Sequence, residues 1–230
     1  SPTAAPSRSP TASPTIAPTS APTETFSPTA PFACSAEASR LAFDGGDDDL
    51  TLEYDDLFGA SVAVGGGLVV VGAPGGDSTG GGFGTGQAYV FDGADGAPLF
   101  SLNFLDMMAD SRYGAAVASE PGGYIVVGGP GGYYSNRGQI GSVFVFASAS
   151  VAAEGVYGAY RQWWPLNGDF ETNDFEAGDE FGAAVAVSGD VVVVGAPGDD
   201  FKAGDVVVVD SGSAYVVTYD GSGTWAMQAK

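Results

Sequence analysis

The densest run of chemistry-bearing side chains lies between residues 169 and 180, where Asp169, Glu171, Asp174, Glu176, Asp179 and Glu180 follow one another closely. Two carboxylates held across a cleft can hydrolyse a glycosidic bond, one as acid and the other as base or nucleophile. The same residues suit a polar connection between structural units, and that plainer reading is preferred. Asp199 and Asp200, and the acidic run at residues 44–49, offer oxygens that hold a divalent cation such as Ca²⁺ loosely. A solvated acidic loop is again the preferred reading, so no catalytic residue, no cofactor and no tight metal site is expected.

Other chemistries are closed by composition. The chain has no histidine, which removes a Ser-His-Asp triad, an imidazole base and most zinc sites. Its one cysteine, Cys34, admits no internal disulfide and no thiolate cluster; it pairs with another chain or sits as a quiet thiol. The glycines at residues 80–86 lack the Lys-Ser/Thr that completes a phosphate-binding loop, so they read as turn residues. A net charge of −21 repels phosphate backbones, which sets nucleic acid aside as a partner. Trp163 and Trp164 offer a face to a sugar or partner, although one of a pair in an outer strand is expected to pack inward.

The elements that must position these groups are spelled three times. Residues 58–74 read FGASVAVGGGLVVVGAP, residues 113–130 read YGAAVASEPGGYIVVGGP, and residues 181–197 read FGAAVAVSGDVVVVGAP. In the first copy Phe58, Ala60, Val62 and Val64 alternate with Gly59, Ser61 and Ala63, which predicts a strand with one bulky and one small face. Small side chains let two backbones approach closely, as the inner strand of a wedge-shaped blade requires. The runs at 68–71 and 191–194 are apolar throughout and predict strands buried on both faces. Two more strands are expected per copy: 87–91 and 98–104, then 142–146 and 160–166, then 214–219 and 225–229. The apolar run at 205–210 is additional in the third copy, and its sequence leaves open whether it replaces, extends or interrupts a strand. Four antiparallel strands recurring at this length predict propeller blades.

Ahead of the repeats the composition changes. Residues 1–33 are dominated by Ser, Thr, Pro and Ala and have little to bury, which predicts a disordered stalk, either O-glycosylated or a plain linker. Residues 34–230 are then the blade region, with a single alternating strand, LTLEY, at 50–54 before the first full copy.

The residues Phe58, Gly59, Gly72, Ala73 and Pro74, then Tyr113, Gly114, Gly128, Gly129 and Pro130, then Phe181, Gly182, Gly195, Ala196 and Pro197 resemble the FG-GAP repeat family, known from the β-propeller of integrin α subunits. The third-strand openings GQAYVF, GSVFVF and GSAYVV resemble it too. The stalk resembles those of algal and diatom surface proteins. The resemblance implies an all-β chain, a partial propeller of about three four-stranded blades. It implies a non-enzymatic extracellular or cell-surface protein for adhesion, recognition or surface structure. Its partners would be a protein or glycan ligand at a blade rim and further blades in the same or another chain, with room for a membrane anchor outside this segment. The alternative is a propeller module of a larger secreted hydrolase or lyase, or a carboxylate-based glycan enzyme. The family's calcium loop, DxDxDGxxD, is not matched by the connections at 65–67, 120–123 and 188–190, so that site is not carried over. Three blades are too few to close a ring, so the chain is expected to be a piece of a longer propeller, or its open apolar faces to pair between chains.

Overall fold

The computed structural model describes residues 55–76, 84–102, 109–134, 138–148, 160–164, 175–203, 206–221 and 225–230. These all lie in the second of the chain's two units, Ser39–Lys230. The expected stalk, Cys34, the acidic run at 44–49 and the strand at 50–54 fall outside the described residues.

The chain is all-β. Blade 1 is the sheet β1 (Ser61–Gly65), β2 (Leu68–Ala73), β3 (Gln87–Asp92) and β4 (Pro98–Ser101), paired in that order. Blade 2 begins with β5 (Ala116–Ser119) and β6 (Tyr124–Gly129), makes a short hairpin of β7 (Tyr133–Tyr134) and β8 (Gly138–Gln139), and finishes with β9 (Ser142–Ala147) and β10 (Tyr160–Trp164). Blade 3 has β11 (Ala184–Ser188) and β12 (Val191–Ala196), a hairpin of β13 (Phe201–Ala203) and β14 (Val206–Val208), then β15 (Ser213–Tyr219) and β16 (Trp225–Ala229). Every neighbouring pair is antiparallel, and no sheet closes on itself. The described part of the run at 205–210 therefore neither replaces nor extends a blade strand: Val206–Val208 pairs with Phe201–Ala203 as a hairpin inserted between the second and third strands, as in blade 2.

The inner strands begin three residues later than the alternation suggested. Phe58, Gly59 and Ala60 precede β1, and the same holds at Tyr113 and Phe181. The reason is backbone geometry: Gly59, Gly114 and Gly182 have φ of 91°, 88° and 94°, which a strand residue does not adopt.

The two faces of each inner strand have different neighbours. Ala63 of β1 packs into a core with Val117, Val127 and Phe144 of blade 2. Ala118, Val126 and Val145, on the opposite face of blade 2, share a second core with Val185, Val192 and Val194 of blade 3. Each blade thus turns its small inner-strand face to the next blade and its bulky face to the preceding one. The outermost faces are open at their inner strands, although Val71, Tyr89 and Phe91, on the same face of blade 1 as Val62 and Val64, are buried. Val62 and Val64 of blade 1 are 66% and 74% exposed, while Ala184, Ala186 and Ser188 of blade 3 are exposed on the small side. In β12 the expectation of burial on both faces is corrected: Val192 and Val194 are buried, but Val191 and Val193 reach the open face and alternate with them.

Candidate functional site

The three motif copies build one turn three times. The glycine of each aromatic-Gly pair donates its N–H to the carbonyl of the closing glycine: Gly59 to Gly72, Gly114 to Gly128 and Gly182 to Gly195, each at 3.0 Å. The aromatic ring packs on the third residue after the glycine that opens the third strand. Phe58 meets Tyr89, Tyr113 meets Phe144, and Phe181 meets Tyr215, with ring centroids 5.2–5.6 Å apart. The second motif segment serves the same turn. Ala73 and Ala196 are fully buried, with Gly129 in their place in blade 2, and Pro74, Pro130 and Pro197 end the strands because they cannot continue a ladder.

Sequence reading missed the residues just ahead of the aromatic. Asp56, Ser111 and Asp179, two positions before it, are buried, and their carbonyls accept the N–H of Gly75, Gly131 and Gly198 at 3.0–3.1 Å. The residues directly before the aromatic, Leu57, Arg112 and Glu180, all take φ between 52° and 57°, a left-handed conformation unfavourable for side chains with a Cβ. Their recurrence at a fixed offset was the available signal.

The joints between blades rest on a second set of glycines. Tyr113 donates its N–H across the joint to the carbonyl of Thr85, and Phe181 donates to Ile140, both at 3.0 Å. The neighbouring glycines, Gly86 and Gly141, bridge the same two aromatics; a Cβ on either would collide with the aromatic's backbone. Likewise a Cβ on Gly72 would strike the carbonyl of Gly114, and one on Gly128 the carbonyl of Gly182. Closing glycines thus serve the turn of their own blade and make room for the aromatic-Gly turn of the next.

Of the carboxylates before the third copy, the described ones do not face one another across a cleft. Glu176 pairs with Lys202 at 2.6 Å and Glu180 with Arg112 at 3.0 Å, both near the surface. Asp179 turns inward and accepts the N–H of Glu176 at 2.7 Å. Burial pushes its carboxyl up to about 6, with the nearby Asp199 and Glu176 charges adding to the rise. Asp169, Glu171 and Asp174 fall outside the described residues.

The two acidic groups offered as loose cation ligands have separate engagements. Asp199 is fully buried; Tyr215 donates its hydroxyl to Oδ2 at 2.5 Å, and Lys230 Nζ lies 2.8 Å from the same oxygen. Burial works to raise this carboxyl, but hydrogen bonds from Lys230, Tyr215 and Ser213 outweigh it and hold it below its ordinary value. Asp200 accepts the N–H of Asp210 at 2.9 Å and so staples hairpin β13–β14. Among the described residues no three acidic or sulfur side chains converge as metal ligands. The connections between inner strands are tight: Gly66 and Gly67, at φ 63° and 79°, form the first, and Glu120 reaches from the second to accept the N–H of Gly189 in the third.

Hairpin β13–β14 faces outward. Phe201, Val206, Val207, Val208 and Val209 are between 48% and 66% exposed there. Trp163 and Trp164 pair through their backbones with Phe144 and Val143 in β9. Of the glycine loop at 80–86, the described part is structural: Gly86 donates to Gly76, and Gly84 accepts from Arg112.

Four-stranded blades joined through aromatic-Gly turns and closing glycines define a propeller-type module. The FG-GAP repeat family model matches residues 52–91 and 164–217, which hold the three inner strands of blade 1 and most of blade 3, and the chain carries FG-GAP repeats. Blade 2 lies between the matched segments and repeats their hydrogen bonds. No curated protein matches the chain.

Proposed function

We propose that this chain is a non-enzymatic recognition or adhesion module working outside the cell, and that it meets a protein partner through hairpin β13–β14. FG-GAP repeats usually occur in extracellular or surface proteins and are generally non-catalytic. The observation that carries the reading is the exposed Phe201, paired with Val208 and on the same face of one inserted hairpin as the exposed Val206. A contiguous apolar patch is seldom left open on a soluble protein unless something covers it in use. Loops projecting from a rigid blade are also where binding residues accumulate. The patch is bracketed by Asp200 and Asp210 on a chain of net charge −21, so a complementary partner presents aliphatic side chains ringed by Lys and Arg.

Two measurements test this. Antibody staining of intact, unpermeabilised producer cells should label the protein, and external protease should remove the label. Surfaces coated with the chain should retain those cells, and the double variant Phe201→Asp/Val208→Asp should not, although it folds. Label that appears only after permeabilisation, or equal retention by the variant, contradicts the proposal.

A further inference from the structure

We propose that blade 3 carries an empty socket for an aromatic-Gly turn, and that a second copy of this chain fills it with Phe58-Gly59. The two joints inside the molecule define what such a socket is. Each has a closing glycine with no room for a Cβ, a glycine opening the third strand that bridges the incoming aromatic, and a carbonyl that accepts the aromatic's N–H. In blade 1 these are Gly72, Gly86 and Thr85, filled by Tyr113-Gly114. In blade 2 they are Gly128, Gly141 and Ile140, filled by Phe181-Gly182.

Blade 3 has all three parts: Gly195, Gly212 and the carbonyl of Ser211. Among the described residues no turn occupies them. The nearest group to a Cβ on Gly195 is Ala184 of its own blade at 3.3 Å, and the nearest to one on Gly212 is the carbonyl of Pro197, also at 3.3 Å. A cleft of about 520 Å³ stands there, lined by Ala183, Ala184, Gly195, Pro197, Gly212 and Ser213.

The opposite end of the molecule carries the matching plug. Gly114 and Gly182 each press against a carbonyl of the preceding blade, Gln87 and Ser142, whereas Gly59 has nothing within 4 Å on that side among the described residues. The faces flanking plug and socket match in the same sense as the internal joints. At the inner strands, where the contact would form, Val62 and Val64 present the bulky face, with Val71 and Tyr89 beside them buried, and Ala184, Ala186 and Ser188 present the small one. A second copy therefore continues an interface the chain already makes twice. In the docked pair Phe58 donates its N–H to Ser211, Gly212 bridges Phe58, and the carbonyl of Gly59 fills the space beside Gly195. Such a contact is head-to-tail: two copies seal each other if the rotation closes, and a longer series forms if it does not.

Light scattering of the full 230-residue chain over a concentration series tests this. The wild type should gain mass as concentration rises. Gly195→Ala on the socket side and Val62→Lys/Val64→Lys on the plug side should each stay folded and weaken association by ~30-fold or more, the scale of a central interface residue. Ala186→Glu, at an exposed position, replaces the first variant if Gly195→Ala fails to fold. An equimolar mixture of a socket variant and the plug variant should form a heterodimer and nothing larger, since one intact plug and one intact socket remain. A wild type that stays monomeric at every concentration overturns the proposal, whether the socket stands open or another segment of the same chain fills it. So does a mixture that yields no heterodimer, or variants that associate like the wild type.

Discussion

The carbonyl of Gly182 stands where a side chain on Gly128 would begin. These two glycines belong to different repeats, and their contact is one of the places where blade 2 and blade 3 touch through backbone alone. Gly128 is the closing glycine of its own motif and accepts the N–H of Gly114 at 3.0 Å. One residue thus ends a strand, anchors a turn and seats the next blade.

Gly128→Ala should destabilise the fold by ~2 kcal/mol or more, because the added methyl meets backbone, which cannot move aside as a side chain would. Gly195→Ala should cost under ~1 kcal/mol, since its nearest neighbour is a methyl group at 3.3 Å. Urea denaturation of the two variants, at a concentration where the chain is monomeric, measures both. Equal losses would contradict the assignment of Gly195 to an open joint.

The repeats were legible in the sequence because their residues are fixed by backbone contacts that admit few alternatives. A closing glycine under a carbonyl of the next blade, as at Gly72 and Gly128, tolerates nothing else, and Gly195 repeats the motif although its joint is open. The strand order followed from the alternating and continuous apolar runs. What could not be read was which face each strand turns to which neighbour. Val62 and Val185 occupy the same motif position, yet Val185 packs against blade 2 and Val62 faces solvent. That difference arises from position in the stack and leaves no mark in local sequence. The inward turn of Asp179 and Asp199 was equally hidden, because acidic residues in a turn-rich segment read as solvated loop until Tyr215 and Lys230 are brought to them by β15 and the end of β16.

Asp179 gives the fold an acid-favouring contribution. Its carboxyl titrates at about 6 in the fold against an ordinary 3.8, so the folded state binds the proton more tightly than the unfolded chain between those values. Its contribution to stability therefore falls as pH rises from about 4 to about 6, by roughly 2–3 kcal/mol. Asp179→Asn keeps an oxygen for the N–H of Glu176 and cannot ionise. The stability of this variant relative to wild type should rise across that window and level off above it. Chemical denaturation at several pH values reads the difference, and a flat one would show that Asp179 is not held uncharged.

Tyr215→Phe should cost ~1–2 kcal/mol at neutral pH, as expected for a hydrogen bond to a buried charge. Asp199 titrates below its ordinary value, so its contribution is present above about 4 and disappears as pH falls below that. The penalty of Tyr215→Phe should shrink over the same acidic range. A penalty independent of pH would place the hydroxyl's value elsewhere than on Asp199.

The Arg112–Glu180 pair bridges the residues directly before two aromatics and is 49% and 44% exposed on its side chains. A double-mutant cycle should give a coupling under ~1 kcal/mol that vanishes in 1 M salt, as for other exposed ion pairs. A larger, salt-resistant coupling would mean that the rim helps hold the blades together.

The central claim is that the aromatic-Gly turn of one repeat is hydrogen-bonded into the blade before it. Amide hydrogen exchange in the Val62→Lys/Val64→Lys variant, whose plug is blocked, tests this most directly. The N–H groups of Tyr113 and Phe181, which donate to Thr85 and Ile140, should exchange slowly, with protection approaching that of the central strands. The N–H of Phe58, which donates to no blade carbonyl among the described residues, should exchange far faster in that variant. Exchange at Tyr113 and Phe181 as fast as at Phe58 would contradict the account.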